Sequence, residues 1–198
     1  MKNKIIVLLL VTFSLFLITG CSNKKENIID NTTDNNSSVE ENKEGSSVVL
    51  YFSATGTTKT IAQKISLLSN SDIIEIIPKE KYKDEDLNYN SDCRANREQK
   101  DSNARPEIEN TIDITKYDTI YLGYPIWWGT NPKIILTLLD KYDLTGKTII
   151  PFCTSGSTGI STSVNDLRNY NSKLTIKDGM RFSLSDNDET IKDFINNN

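Results

Sequence analysis

The stretch that decides the fold runs from Val48 to Ala62 and reads V-V-L-Y-F-S-A-T-G-T-T-K-T-I-A. Its first part, Val48 to Phe52, is a continuous apolar run of strand-forming residues, which is typical of a strand buried on both faces. After it, apolar residues recur at the spacing of one helix face, at Ile61, Ile65 and Leu68. The stretch therefore predicts a buried strand, a short loop and a helix.

The loop between this strand and helix is rich in hydroxyl groups. Four of them surround Gly56, on Ser53, Thr55, Thr57 and Thr58. A helix N-terminus presents unpaired N–H groups and a partial positive charge, and hydroxyls add donors, so the loop predicts an anion site. A Walker loop is excluded because it needs a second glycine directly before its lysine, and here Thr58 precedes Lys59. A dinucleotide fingerprint is excluded because the loop holds one glycine and not three.

The composition limits the chemistry that this chain can perform. The protein has 198 residues, a formal net charge of -4 and no histidine. The acidic balance argues against nucleic acid as a partner. The lack of histidine excludes His-based triads, His metal ligands and a His general base. Any redox chemistry would therefore depend on a cofactor.

The first residues have the pattern of an export signal. Two lysines precede an apolar stretch from Ile5 to Ile18, which is short for a permanent membrane span. The run Leu17-Ile18-Thr19-Gly20 before Cys21 resembles a lipobox. It implies a signal peptide over residues 1–20 and a lipid on Cys21. An ordinary secretory signal and an uncleaved anchor are the alternatives.

The next segment, residues 21–47, is dominated by Asn, Ser, Thr, Asp, Glu and Lys. Such a composition cannot bury enough apolar surface to fold, so we expect a disordered polar linker after the lipidated cysteine. The folded domain is then expected over residues 48–198. With its lipid anchor, the protein would be exported and held at the outer face of the cell membrane.

Strand-like and helix-like segments alternate along the rest of the chain. Further strands are predicted at Asp72 to Ile77, Tyr117 to Gly123 and Lys147 to Cys153, and a short fifth strand at Leu174 to Ile176 or Met180 to Phe182. Further helices are expected near Asp92 to Asp101, from Pro132 as the first helical residue, over Ile160 to Leu167, and behind Ser185 or Asp186. Pro151 is expected to loosen strand pairing near the C-terminal end of its strand. The alternation predicts a doubly wound α/β fold with a parallel sheet.

In such a sheet, the loops after the first, third and fourth strands meet at one edge. The loop after the third strand reads Tyr124-Pro125-Ile126-Trp127-Trp128-Gly129-Thr130 and holds both tryptophans of the protein. The loop after the fourth strand reads Thr154-Ser155-Gly156-Ser157-Thr158-Gly159. A hydroxyl loop suits a phosphate, an aromatic loop suits a planar ring, and a Gly/Ser loop offers backbone groups.

The S-x-T-G-x-T loop directly after the first strand resembles the phosphate loop of the flavodoxins. The later G-Y-P-I-W-W-G and P-F-C-T-S-G-S-T-G runs resemble those of one branch of the flavodoxin-like family, so the resemblance covers roughly Val48 to Phe182. It implies a five-stranded parallel sheet of order 2-1-3-4-5 with helices on both faces. It also implies flavin mononucleotide (FMN) as the cofactor.

By this resemblance, the first loop binds the phosphate of FMN and the other two loops hold its ring. The residues implied for the phosphate are Ser53, Ala54, Thr55, Gly56, Thr57 and Thr58. Those implied for the ring are Pro125, Ile126, Trp127, Trp128, Gly129, Thr154, Ser155, Gly156, Ser157, Thr158 and Gly159. Since adjacent residues in extended backbone point to opposite faces, at most one tryptophan is expected to touch the flavin face. The long polar segment from Lys79 to Asp113 departs from the family and leaves the partner site open.

These features favour an FMN-binding lipoprotein that acts in electron transfer or oxidoreduction at the outer face of the cytoplasmic membrane. Its expected partner is a redox protein or a small electron acceptor. Two alternatives are an NAD(P)H-dependent FMN reductase of quinone-type acceptors and a non-catalytic module that binds FMN or another phosphoryl ligand. No catalytic residue and no metal ligand is predicted.

Cys153 invites comparison with low-molecular-weight phosphatases, which place a nucleophilic cysteine before a phosphate loop. Their loop needs an arginine six residues after the cysteine, and here that residue is Gly159. Cys153 is therefore predicted to be a small core residue. Whether it pairs with Cys93 in an exported protein is left open.

Overall fold

The computed structural model describes residues 46–198, so the predicted signal peptide, the lipidation site Cys21 and nearly all of the linker lie outside the described residues. The strands are β1 (Ser47–Tyr51), β2 (Asp72–Glu75), β3 (Thr119–Pro125), β4 (Thr148–Thr154), β5 (Thr175–Ile176) and β6 (Met180–Phe182). The helices are α1 (Thr57–Ser69), α2 (Arg94–Lys100), α3 (Lys133–Lys141), α4 (Ser161–Tyr170) and α5 (Asp188–Asn196), and a 3₁₀ turn covers Asp84–Leu87. Within residues 46–198, no helix has the length and apolar character needed to cross a membrane.

The strands form one sheet in which every pairing is parallel. The strand order is β2-β1-β3-β4-β5, and β6 also lies beside β4. This order confirms the predicted doubly wound fold. The fifth position is shared, because β5 pairs with the start of β4 and β6 pairs with its end. Both segments that the sequence offered as a fifth strand are therefore used.

Pro151 explains why the fifth position is split. The main-chain oxygen of Ile149 accepts a hydrogen bond of 2.8 Å from the N–H of Lys177, so Ile149 and, two residues on, Pro151 face this edge of the sheet. Proline has no N–H to offer there, and the edge strand is interrupted opposite it. By contrast, β4 pairs with β3 without a break through Thr154. The predicted loosening of strand pairing at Pro151 therefore occurs on the β5–β6 side, between Ile149 and Phe152, and does not occur on the β3 side.

The side chains of β1 alternate between two apolar cores. Val48 and Leu50 join the core that also contains the apolar faces of α3 and α4, whereas Val49 and Tyr51 join the core of α1 and α5. Burial on both faces accounts for the continuous apolar run that the sequence shows here. Since β1 lies between β2 and β3, the loop after it emerges beside the loop that follows β3.

The polar segment between β2 and β3 folds back on the sheet. It contains the predicted helix, α2, and Pro78 forms an antiparallel bridge with Ile108 near the segment's end. Although the segment is polar in composition, several of its residues are buried in the core, among them Ile108, Ile112 and Ile114. The segment therefore packs against the rest of the domain, and its other side chains have defined positions at the edge of the sheet.

Two helix starts differ from the predicted ones. Pro132 is the N-cap of α3 and not its first helical residue, which is Lys133. The last helix is capped by Asn187, whose side-chain oxygen accepts a 2.9 Å hydrogen bond from the N–H of Thr190. Neither Ser185 nor Asp186 opens it, because Asn187 has the position from which a side chain reaches that N–H.

Candidate cofactor site

The loop after β1 leaves the N-terminus of α1 open. Gly56 is the N-cap and has a left-handed conformation, with φ 90° and ψ -15°, which favours glycine. No side chain of the described residues caps this helix. The first-turn N–H groups have no partner within the helix, so they carry partial positive charge toward the solvent side of the loop. A Cβ built on Gly56 would meet nothing within 4 Å, so a ligand has room to approach the backbone.

The four hydroxyls of this loop divide into two pairs. The Ser53 oxygen accepts a 3.1 Å hydrogen bond from the N–H of Gly56 and closes the loop. The buried Thr58 hydroxyl shares a 2.8 Å hydrogen bond with that of Thr154, which ties this loop to the end of β4. Thr55 and Thr57 instead line a cavity. These last two are the hydroxyls placed to meet a phosphate.

The cavity has a volume of about 630 Å³ and opens at the carboxyl edge of the sheet. It brings together these predicted site residues: Thr55, Thr57, Pro125, Ile126, Trp127, Trp128, Thr154, Ser155 and Gly156. The predicted residues outside its lining are Ser53, Ala54, Gly56, Thr58, Gly129, Ser157, Thr158 and Gly159. None of the described residues that line the cavity carries a charge. The walls are therefore suited to an uncharged planar group, with the open helix N-terminus beside them.

Six lining residues were not predicted as site residues. Leu87, Tyr89 and Ala95 come from the segment between β2 and β3, and Phe182, Ser183 and Leu184 come from the end of β6 and the loop after it. The second group had a signal, because the fifth strand of a parallel sheet ends at the same edge as the others. The first group was indicated only by the few aromatic and apolar residues scattered in an otherwise polar segment.

The tryptophans lie in a tight turn and not in extended backbone. Trp127 and Thr130 exchange main-chain hydrogen bonds of 2.9 and 3.1 Å, and φ is 50° at Trp128 and 86° at Gly129. Positive φ at both central residues defines a type I′ turn. Both rings line the cavity, at 6.5 Å between centroids and 88° between planes. The expectation of opposite faces was therefore based on the wrong local conformation.

Trp127 is held by other aromatic rings. Its centroid lies 5.6 Å from that of Phe52 and 5.0 Å from that of Tyr82, both edge to face. The Tyr82 hydroxyl donates a 2.5 Å hydrogen bond to Glu98. Burial, and then this carboxylate, raise the pKa of Tyr82 far above its ordinary value, so the hydroxyl stays a donor. The β2–β3 segment thus fixes the first tryptophan.

The same segment also fixes the backbone of the turn. The side-chain amide of Gln99 on α2 donates to the main-chain oxygens of Trp127 and Asn131, at 3.1 and 3.2 Å. These bonds hold both ends of the turn, which contains a bulky residue in the left-handed region. Such a residue persists only where its surroundings determine it.

The loop after β4 is connected to its neighbours. The N–H of Ile126 donates to the main-chain oxygen of Thr154 at 3.0 Å, which joins this loop to the one after β3. Within the loop, the Ser155 hydroxyl donates to the main-chain oxygen of Thr158. Arg181 on β6 donates to the main-chain oxygen of Ser155 at 3.3 Å. The three loops therefore form one connected wall.

Cys153 lies in the core beneath this wall, as predicted. Its side chain is fully buried, and burial raises the pKa of the thiol to about 12. A thiol with that pKa has almost no thiolate at neutral pH, so it cannot act as a phosphatase nucleophile. Cys93 is also free and buried, so the two cysteines do not form a disulfide. Across residues 46–198, no cluster of His, Cys, Asp and Glu suits a metal ion.

We expect both cysteines to be unreactive in the native protein. In a Cys21→Ser chain, a disulfide reagent such as Ellman's should release no colour at pH 8 until a denaturant is added, because both thiols are buried. Once the protein is unfolded, both Cys93 and Cys153 should react with the reagent. Stoichiometric labelling of Cys153 without unfolding would contradict its placement in the core.

Comparison with known proteins agrees with this architecture. The flavodoxin family model matches residues 46–198. The chain is similar to the structure of a candidate flavoprotein from Bacteroides uniformis ATCC 8492, with 37% identity, a TM-score of 0.74, and coverage of 77% of this chain and 98% of that one. It is also similar to a candidate flavoprotein from Bacteroides eggerthii DSM 20697, with 35% identity, a TM-score of 0.74, and coverage of 77% and 96%. A flavoprotein in complex with FMN from Lactobacillus acidophilus NCFM has 30% identity and a TM-score of 0.59, over 69% of this chain and 93% of that one. No curated protein matches the chain.

Proposed function

The chain belongs to the flavodoxin family, and from this membership we propose that it binds FMN in the cavity at the carboxyl edge of the sheet and transfers electrons. The observation that carries the proposal is that three elements suited to FMN meet in one place. The uncapped N-terminus of α1 and both tryptophan rings meet at one cavity that has no charged residue in its described lining.

The residues of the site fit each part of FMN. The first turn of α1, with the hydroxyls of Thr55 and Thr57, suits the phosphate, because N–H dipoles and hydroxyl donors stabilise a dianion. Trp127 and Trp128 supply aromatic surface for the ring system. The cavity volume of about 630 Å³ is typical of a cofactor site. Bound FMN would supply the electron-carrying ring, and the protein's part is to hold it and to limit its contact with water.

Titration with FMN should quench the tryptophan fluorescence of this protein. Trp127 and Trp128 are its two tryptophans, and both line the cavity, so the emission reports on this site alone. We expect quenching that saturates at one FMN per chain, together with loss of the fluorescence of FMN itself. Free tryptophan amide at equal absorbance is the control for inner-filter effects. A protein that changes neither emission would refute the proposed cofactor.

Experiments on the FMN-loaded protein distinguish electron transfer from an NAD(P)H-dependent reductase. A potentiometric titration separates one-electron from two-electron chemistry in the FMN-loaded protein. Rapid oxidation of NAD(P)H would instead support the reductase. A non-catalytic FMN-binding module would bind FMN yet pass no electrons to any added acceptor.

The proposal also includes the cellular location of the protein. The apolar stretch, the Leu17-Ile18-Thr19-Gly20 run and Cys21 support a protein that is lipid-anchored at the outer face of the cytoplasmic membrane, close to its redox partner or acceptor. Metabolic labelling with a radioactive fatty acid tests the anchor. We expect label in the membrane fraction and its loss in a Cys21→Ser chain. Equal label in both chains would exclude lipidation at Cys21.

A further inference from the structure

Arg181 on β6 differs from the other arginines of the domain in its partners. The structure describes four others, and each forms an ion pair with an aspartate or a glutamate: Arg94, Arg97, Arg105 and Arg168. Within residues 46–198, no carboxylate pairs with Arg181, and its guanidinium donates instead to the main-chain oxygen of Ser155, at 3.3 Å. The positive charge of Arg181 is therefore not neutralised by an acidic side chain of this part of the protein.

Arg181 lies directly behind the wall of the cavity. It is paired with Cys153 in the register of β6 and β4, so its main chain lies beside the last residues of β4. Its neighbour Phe182 and its partner Ser155 line the cavity, whereas Arg181 is half-buried and is not part of the lining. Burial raises the pKa of the Cys153 thiol, and the charge of Arg181 acts against this rise. The charge therefore acts on groups at and beneath the wall.

A cation at this place has a consequence for a flavin. At neutral pH, two electrons and one proton convert the uncharged oxidised ring into a reduced ring that carries one negative charge. A nearby cation stabilises the reduced ring more than the oxidised ring, and it thereby raises the reduction potential. The described lining is uncharged, and the loops after β3 and β4 contain no acidic residue that would offset the cation.

We propose that the charge of Arg181 raises the reduction potential of bound FMN by favouring its reduced, anionic form. The inference rests on the proposed cofactor and concerns how readily the cofactor accepts electrons, not how it is attached. It also bears on the redox partner. Because the cation makes reduction easier, the electron donor can be a weaker reductant than the same cavity would need without Arg181.

Arg181→Gln removes the charge and tests the proposal. Reduced FMN should bind about tenfold more weakly relative to oxidised FMN, which is the scale for two unit charges about 10 Å apart near a protein surface. For a two-electron couple, a tenfold change lowers the potential by about 30 mV. The phosphate has the same charge in both oxidation states, so its attraction to Arg181 does not enter the potential. Potentiometric titration of the FMN-loaded protein with dithionite measures the potential, and calorimetry measures the affinity for oxidised FMN.

Two further variants separate the local charge from other effects. Arg181→Lys keeps the charge and should keep the potential of the wild type. Arg168→Gln is the matched control, because it changes the net charge by the same amount at a different place. Arg168 donates to the main-chain oxygen of Ile176 on β5, which pairs with the start of β4, away from the carboxyl edge. We expect this control to leave the potential unchanged.

Each result has a separate meaning. Wild-type protein that binds no FMN refutes the proposed cofactor and therefore this inference with it. Wild-type binding of FMN with an unchanged potential in Arg181→Gln refutes the inference alone. An equal fall in Arg181→Lys or in Arg168→Gln also overturns it, because a local charge predicts neither. Should Arg181→Gln fold poorly, Arg181→Met keeps the apolar stem of the side chain and must show the same fall.

Discussion

Replacement of Gly123 by alanine is expected to lower the free energy of unfolding by about 3 kcal/mol, the upper range for overpacking a core. A Cβ on this glycine would lie 2.2 Å from Cζ of the Phe152 ring and within 2.8 Å of two further ring atoms. Gly123 and Phe152 are paired across β3 and β4, so the two backbones are fixed by the sheet. The ring is fully buried and packs edge to face on Phe182 at 6.4 Å, which limits its retreat. Urea unfolding monitored by circular dichroism measures the loss.

Gly159→Ala is the matched control. A Cβ at Gly159 would meet nothing within 4 Å, and its φ is not positive, so we expect a change within about 0.5 kcal/mol. A second background identifies the cause. In a Phe152→Leu protein the shorter side chain leaves space, and Gly123→Ala should then cost much less. The same loss in both backgrounds would show that the ring is not the obstacle.

Replacement of Thr57 by aspartate is expected to weaken FMN binding by a hundredfold or more. Thr57 is the first residue of α1 and lines the cavity. A carboxylate there would lie close to the phosphate of the cofactor, and two charges about 4 Å apart near a protein surface repel by about 4 kcal/mol. Riboflavin has no phosphate and should lose little affinity. Calorimetric titration with both flavins measures the difference.

The same substitution should not harm the fold. No acidic residue lies in the first turn of α1, and an aspartate at a helix N-terminus stabilises the helix by about 0.3–1 kcal/mol. Ser161→Asp is the matched control, since Ser161 is the first residue of α4, which also lacks a side-chain cap and a first-turn acid and lies outside the lining. It should raise stability without changing FMN affinity. Equal losses for FMN and riboflavin in Thr57→Asp would place the phosphate elsewhere.

These two predictions separate the fold from the site. Gly123 allows β3 to pack against the Phe152 ring and is not among the residues that line the cavity. Thr57 lines the cavity, and its hydroxyl makes no hydrogen bond with another residue of the described range 46–198. A stability measurement and a binding measurement on the two variants should therefore give opposite patterns.

Much of this architecture was predictable because it depends on local periodicity. The apolar run from Val48 to Phe52 is buried on both faces, as is typical of a central strand in a parallel sheet. The hydroxyl loop before α1 and the tryptophan loop after β3 follow strands, so topology brings both to one edge. Both were expected in the site, and Thr55, Thr57, Trp127 and Trp128 do line the same cavity.

The direction of individual groups was not predictable from the sequence. Ser53 and Thr58 have the same chemistry as Thr55 and Thr57, yet their hydroxyls bond inside the protein. The partner of Thr58 is Thr154, which lies 96 residues further along the chain. No local pattern encodes such a contact. Tertiary packing determines whether a hydroxyl of this loop bonds inside the protein or faces the cavity.

The sequence by itself determined the α/β class, the sheet order through a family resemblance, the position of the hydroxyl loop between β1 and α1, and the core position of Cys153. Only the tertiary structure decided the left-handed turn at Trp128, the split edge strand opposite Pro151 and the arrival of Tyr89 at the cavity. Each of these depends on contacts between segments far apart in the chain, such as Gln99 with the tryptophan turn. Periodicity and propensity act over a few neighbouring residues, whereas these positions are set by long-range hydrogen bonds and packing, which the sequence encodes only through the complete fold.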